Sequence, residues 1–340
     1  IYTLSLHDAL PIFGATKAVN QYTIRELLMA NELKQFAGAA DLLPVANPML
    51  TRAPFLKANN GWLHKRPVNI TPEVENSRKF NEGAKVTIAR HTPVIAGIGI
   101  NEEHLVRDDA FEMGNPNDGD WLLADEQSKI KSVGLGVGNR MLYADETVDD
   151  SIGFMNWFGK LDEAFYGDQI IDAGGVAANG LTSIWIICWA PGAVYNVYPE
   201  GAGIPMKMGL LPDKQQTDGD GGVYAGSRMQ YAMFSGMFVE NPFYVVRIAN
   251  IPTTASGLAT FDIIEHLDNA LLRLDPMATK LGDPVIYMNQ TLIKKYKDDV
   301  RKADKAAYSK PEIQTSATLA YDGIPIERID LIRNAEAQVA

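Results

Sequence analysis

The run Gly134-Leu-Gly-Val-Gly-Asn139 carries the glycine spacing of a loop that cradles phosphate. That chemistry needs backbone N–H groups converging at a helix that opens directly after a strand. Here the run follows a helical pattern and ends in Asn139, so the dinucleotide fingerprint fails. Asp218-Gly-Asp220-Gly-Gly222 starts with the rhythm of a calcium loop, but the third ligand and the closing Glu are missing. It reads as a solvated turn. His7, His64, His91, His104 and His266 form no His-Glu-x-x-His pair, and the single cysteine, Cys188, has no cysteine partner at zinc spacing. Inside Ile-Ile-Cys-Trp it reads as a small buried hydrophobe. The Gly-x-Ser-x-Gly elbow of serine hydrolases is absent. Trp185 and Trp189 lie four apart in an extended run and so share a face; two indoles there read as core and not as a stacking platform. No catalytic, cofactor-binding or metal-binding residue is assigned, and neither enzyme activity nor a cofactor is expected.

At 340 residues the chain exceeds what one hydrophobic core organises, so two lobes with extensions are expected. No apolar run reaches the roughly 18 residues of a membrane-crossing helix, and no membrane partner is expected. Lys plus Arg number 31 against 42 Asp plus Glu, a formal charge of −11. Such a chain does not offer the clustered cations that release counterions from nucleic acid, which argues against a DNA-binding protein.

The elements follow from periodicity. Tyr22 to Phe36 is helix-like, with Ile24, Leu27 and Leu28 on one side, and residues 13–60 read as an arm without its own core. Residues 61–95 alternate Val68, Ile70 and later Val86, Ile88 around a polar tip at 73–85, which predicts a two-stranded ribbon. Two strands alone are marginal in water, so the ribbon needs support from elsewhere. Leu123, Ile130, Val133, Val137 and Met141 share one face of a helix predicted over 118–141, with Asp118 or Asp120 as N-cap. Gly134, Gly136 and Gly138 predict that this helix ends, bends or packs closely there. Residues 145–180, holding Trp157 and Phe165, read as a loop-rich passage. Apolar runs at 182–189 and 243–251 predict long strands; with the apolar face of the 118–141 helix and the break at Pro252-Thr-Thr, residues 182–251 are expected to form one antiparallel sheet packed on that helix and 263–335 a separate lobe. Ile264, Leu267, Leu271 and Leu274 mark an amphipathic helix stopped by Pro276, and Asn289 is placed to cap a further helix bearing Leu292, Ile293, Tyr296 and Val300. The class is α+β.

These runs, together with Val-Ile-Tyr-Met-Asn-Gln-Thr-Leu-Ile-Lys-Lys-Tyr at 285–296, Gly-Ile-Pro-Ile-Glu-Arg-Ile-Asp at 323–330, Asn-Asn-Gly-Trp-Leu-His-Lys at 59–65, Phe-Asn-Glu-Gly at 80–83 and Asp-Ala-Gly-Gly at 172–175, resemble the major capsid proteins of tailed phages over about residues 40–338. The weight lies in their order and spacing. The resemblance implies a Hong Kong 97-like fold: N-terminal arm 13–60, extended loop 61–100, peripheral domain 101–257 with spine helix 118–141 and strands within 182–251, and axial domain 258–340. In the subgroup it most resembles, the peripheral strands precede the axial domain. It implies a head protein that assembles with itself into pentamers and hexamers of an icosahedral shell around double-stranded DNA, touched only non-specifically. Scaffold, portal and decoration proteins would be its other partners, with assembly in the host cytoplasm and a final place in the virion. Two other readings stay open, an encapsulin-like nanocompartment shell and an α+β enzyme with a dispersed active site.

Charge is unevenly distributed. Residues 57–90 hold seven basic side chains, among them Lys65, Arg66, Arg78, Lys79 and Lys85, against three acidic, a local +4. Residues 101–126 hold nine acidic side chains, among them Asp108, Asp109 and Glu112, and only Arg107, a local −8. The basic ribbon of one subunit is expected to lie across the acidic segment of the next. Residues 2–12, Tyr-Thr-Leu-Ser-Leu-His-Asp-Ala-Leu-Pro-Ile, look like the translation of a sequencing adapter, so residues 1–12 are set aside from the fold. A chain starting at Phe13 is expected to assemble, by electron microscopy, as the full one does; loss of particles on that deletion would refute the adapter reading.

Overall fold

The structure is a computed structural model that describes residues 22–30, 37–69, 77–83, 91–114, 119–161, 166–212, 214–303 and 319–340. The expectations for residues 1–12, Phe36, Ile70, Val86, Ile88, Asp118 and Phe165 fall outside these spans.

Helices α1 (Ile24–Ala30), α2 (Ala37–Ala46) and α3 (Met49–Arg52) and strand β1 (Phe55–Lys57) come first. A ribbon of β2 (Leu63–Asn69) and β3 (His91–Gly97) follows, then β4 (Gly99–Asp108), α4 (Asp109–Gly114) and the long helix α5 (Gly119–Tyr143). Short α6 (Glu146–Asp149) and α7 (Phe154–Trp157) lead to β5 (Ile170–Asp172) and β6 (Leu181–Trp189). Next come β7 (Val194–Tyr198), β8 (Met206–Leu210), β9 (Gln215–Thr217), β10 (Val223–Val239) and β11 (Val245–Pro252). The rest comprises α8 (Ala255–Thr260), α9 (Ile263–Arg273), α10 (Ala278–Leu281), β12 (Asp283–Met288), α11 (Gln290–Ala303), β13 (Ala320–Tyr321) and β14 (Ile324–Arg328).

Every residue of β6 and of β11 is buried, which is why both read as unbroken apolar runs. They form the middle of one sheet in the order β13-β14-β12-β6-β11-β5. A second sheet runs β1-β7-β10-β4, with β8 and β9 also paired along the 17-residue β10. This overturns the expectation that 182–251 form one sheet and 263–335 a separate lobe. β6 pairs antiparallel with both β11 and β12, and β12 pairs parallel with β14, so these four strands share a sheet. Of that stretch, β7 to β10 belong to the other sheet, and the chain passes between the sheets after β6 and again after β10. The strands of one sheet therefore do not all precede those of the other. Apolar runs reveal that a strand is buried, but its partner is chosen by long-range packing.

Helix α5 runs unbroken through its glycines, and these allow close approach. A Cβ on Gly134 would sit 3.1 Å from Ala46 Cβ, and one on Gly138 would sit 2.6 Å from Asn47 Nδ2. Ile130, Val133, Val137 and Met141 are buried as expected, whereas Leu123 is exposed. Asp120 lies inside the helix and is not its N-cap. Ile24, Leu28, Leu43, Met49 and Leu50 of the arm belong to the main core, so the arm is stabilised by packing on the body. Trp185 and Trp189 are buried, with Phe154 ring centroids 5.6 and 5.9 Å away. Asp262 caps α9, and Asn289 Oδ1 accepts from Leu292 N at 3.0 Å at the start of α11.

One charge lies wholly inside. Arg247 of β11 has no exposed surface, and burial lowers its pKa. Its Nη1 donates to the Phe158 carbonyl at 2.7 Å, Nε to Ser183 Oγ at 3.1 Å, and Nη2 to Glu336 Oε2 at 3.1 Å. Ser183 Oγ also donates to Glu336 Oε2, and Tyr143 OH to Glu336 Oε1 at 2.8 Å. Asn250 of β11 exchanges two hydrogen bonds with the Val339 backbone, each 2.9 Å. The C-terminal segment is thereby tied to both β6 and β11 and to the end of α5. Removing one member of such a pair strands the other charge out of water. Glu336→Ala is expected to lower unfolding free energy by about 3–5 kcal/mol in urea titration. Replacing both partners together, Arg247→Met with Glu336→Leu, is expected to cost much less.

Candidate assembly surface

The basic residues sit on the ribbon, and the ribbon is held to the body at its root. β2 and β3 pair antiparallel from Leu63↔Gly97 to Asn69↔His91, with Pro67 opposite Pro93. Two prolines at one register position remove donors there and discourage further strands from adding to this open edge. Asn59 fixes the entry, its Nδ2 donating to the Lys65 carbonyl at 2.7 Å and its Oδ1 accepting from Lys65 N at 2.9 Å. His64 points inward, buried edge-on against Phe238 at 4.8 Å, with Nε2 3.0 Å from Tyr195 OH, which donates to Glu240 Oε2 at 2.9 Å. Burial first, and then the nearby Arg66 charge, lower the His64 pKa from 6.5 to about 4.

With His64 and Val68 turned in, Lys65 and Arg66 are left exposed. Arg78 and Lys79 are exposed in the turn at 77–83, and Lys85 lies outside the described residues. On the acidic side, Asp108 ends β4 and its Oδ1 accepts from Ala110 N at 2.8 Å, an Asx turn that starts α4. Asp109 opens that helix and is half-buried; Glu112 lies within it. Part of the acidity expected to face a neighbour is used inside the chain. Glu103 accepts from Lys129 Nζ and Ser132 Oγ, each at 3.1 Å, and its pKa is lowered mainly by the Lys129 hydrogen bond. Arg107 pairs with Asp125 at 3.3 Å, and Glu102 with His104 at 2.7 Å. Exposed acid is thus found at Asp108, with half-buried Asp109 beside it.

The other candidates resolve without chemistry. Cys188 is buried, and its thiol is pushed up to about 12 by burial. Asp218 Oδ1 is taken up by Asp220 N and Gly222 N, which makes the stretch a turn. Among the described residues no cluster of His, Cys, Asp and Glu could hold a metal, and no helix is long and apolar enough to cross a membrane. Sequence reasoning missed the Arg247–Glu336 clasp; a lone charge inside Val-Val-Arg-Ile-Ala-Asn-Ile was its signal.

The fold as a whole is similar to that of solved structures. A chain of bacteriophage epsilon15 superposes with a TM-score of 0.64 at 21% identity, covering 84% of this chain and 88% of that one. The bacteriophage JBD30 capsid gives 0.53 at 9% identity, covering 89% and 97%. The fold is Hong Kong 97-like, and the class is that of shell-building subunits. The family model described as major capsid protein GP7 matches residues 31–340, and the chain belongs to that family. It is a structural capsid protein of a phage virion and not an enzyme. A search of curated proteins finds no match.

The His64 environment sets a pH dependence. Its folded pKa lies below the unfolded one, so between pH 6.5 and about 4 the unfolded chain binds the extra proton and stability falls with pH. Urea midpoints of His64→Gln measured across that window are expected to fall less steeply than those of the wild-type subunit; parallel curves would refute the assignment.

Proposed function

We propose that this capsid protein builds an icosahedral head of pentamers and hexamers around double-stranded DNA, with the basic ribbon of each subunit lying across the acidic segment of its neighbour. The observation that carries the pairing is the placement of exposed Lys65 and Arg66 on the ribbon and of Asp108 and Asp109 at the far end of β4. In the same reading Arg78, Lys79 and Lys85 continue the basic edge, and Glu112 the acidic one. In this reading residues 13–60 are the arm, 61–100 the extended loop, 101–257 the peripheral domain and 258–340 the axial domain.

The chain's net charge of −11 supports a wall that repels its contents, so contact with DNA is non-specific. Scaffold, portal and decoration proteins are the further partners, and assembly takes place in the host cytoplasm. Family membership favours this reading over a nanocompartment shell. Exposed ion pairs contribute only about 0–1 kcal/mol each, so the pairing acts through repetition around a ring and weakens with salt.

Electron microscopy of the expressed chain should show closed particles at low ionic strength. Lys65→Glu with Arg66→Glu should reduce particle yield, and adding Asp108→Lys with Asp109→Lys should restore part of it. Unchanged yield in the first double variant would refute the pairing.

A further inference from the structure

The ribbon joins the sheet of β1, β7, β10 and β4 through three residues, Gly97, Ile98 and Gly99, where β3 ends and β4 begins. What packs on this junction decides the direction in which the ribbon leaves the body. One hold is apolar. Ile98 is buried, its N–H donates to the Trp62 carbonyl at 3.1 Å, and the Trp62 indole stands edge-on to Phe234 of β10 with ring centroids 5.6 Å apart.

The other hold comes from α5. Arg140 Nε donates to Asn101 Oδ1 at 2.7 Å, Nη1 to the Asp149 carbonyl at 2.7 Å and to Ser151 Oγ at 3.0 Å, and Nη2 to the Ile100 carbonyl at 3.0 Å. All three nitrogens are used, two on β4 and one on the end of α6 and the residues after it. Hydrogen bonds from a charged donor are the stronger kind, so the three elements are drawn onto one group. The guanidinium lies against the junction itself. A Cβ on Gly99 would stand 2.0 Å from Arg140 Nη1, and one on Gly97 would stand 2.0 Å from the Asp150 carbonyl oxygen. The clasp closes only because both positions lack a side chain. Asp150 presents that oxygen from the left-handed region, at φ 52°, a conformation that a residue other than glycine keeps where its surroundings hold it.

The body does not need this clasp to dock α5. The helix is seated by its buried face, Ile130, Val133, Val137 and Met141, whereas Arg140 is only half-buried and its partners all lie at the junction or in the loop that returns to it. Its effect falls on the ribbon. A projection fixed in one direction before assembly loses less conformational freedom when it meets a neighbour than one that swings, and that saving is repeated at every contact of a shell.

We propose that Arg140 is a positioning residue for shell assembly, fixing the direction in which the ribbon leaves the body by clasping the junction at 97–99. The geometry belongs to the single chain; the consequence for assembly rests on the shell-building reading.

Two variants open the clasp from opposite sides. Arg140→Gln removes the guanidinium, and Gly99→Ala keeps the charge but displaces it from the junction. Nitroxide labels at Pro93→Cys on the ribbon and Lys131→Cys on α5, both exposed, report the ribbon's direction in the free full-length subunit by pulsed electron paramagnetic resonance; the only native thiol, Cys188, is buried. The labelled subunit with Arg140 and Gly99 intact is expected to give one narrow distance distribution. Each variant is expected to broaden that distribution and shift its mean while the body keeps its melting temperature to within a few degrees, and, without labels, to raise the concentration needed for assembly about tenfold or more. A distribution already broad with the clasp intact, or one unchanged in both variants, would overturn the proposal. So would a broadening accompanied by a larger fall in melting temperature, which would make Arg140 part of the body's own packing, or variants that assemble at the wild-type threshold. If the wild-type chain forms no particles the shell reading fails, and the distance distributions still decide whether Arg140 sets the ribbon's direction.

Discussion

The Arg247 guanidinium, held where water does not reach, is the constraint around which the body is organised. Each of its three nitrogens donates to an oxygen, and the groups that supply them come from distant parts of the chain: Phe158 beyond α7, Ser183 in β6 and Glu336 near the C-terminus. Glu336 in turn takes the Tyr143 hydroxyl from the end of α5. One buried charge therefore fixes the long helix, two strands and the C-terminal segment relative to one another. An apolar residue would allow several packings of similar energy, whereas an unpaired guanidinium makes the alternatives costly.

A body fixed in this way suits a subunit that must be repeated many times in one geometry. The arm adds to it by lying along α5, where glycines at 134 and 138 let α2 and Asn47 come close. The ribbon differs. His64 and Trp62 tie its root to Tyr195, Phe238 and Phe234, but Lys65 and Arg66 are left exposed. Among the described residues its two strands have one another as their only sheet partners, an arrangement marginal in water, which is why the proposed assembly gives the ribbon its support from another copy.

Much of the fold was legible in the sequence because burial leaves a periodic trace. The runs at 182–189 and 243–251, the 118–141 helix face and the Asn289 cap each follow from local rules, and each is found. Sheet membership was not legible. β6 and β12 are both buried and β-branched, and nothing local says that they pair while β7 leaves for the other sheet. Leu123 continued the helical pattern but is exposed, since periodicity does not show where a neighbour ends. For the assembly surface, charge runs located the ribbon and the acidic segment. They could not show that Glu102, Glu103 and Asp125 would be taken up inside the chain.

The central claim is that the body is complete in one chain and the ribbon only in the company of another. Amide hydrogen exchange of the free subunit and of assembled particles tests it directly. Amides of residues 66–69 and 91–94 are expected to exchange rapidly in the free subunit and to become strongly protected on assembly, while those of 184–188 and 245–249 are protected in both. Equal protection of the ribbon amides before and after assembly would contradict the account.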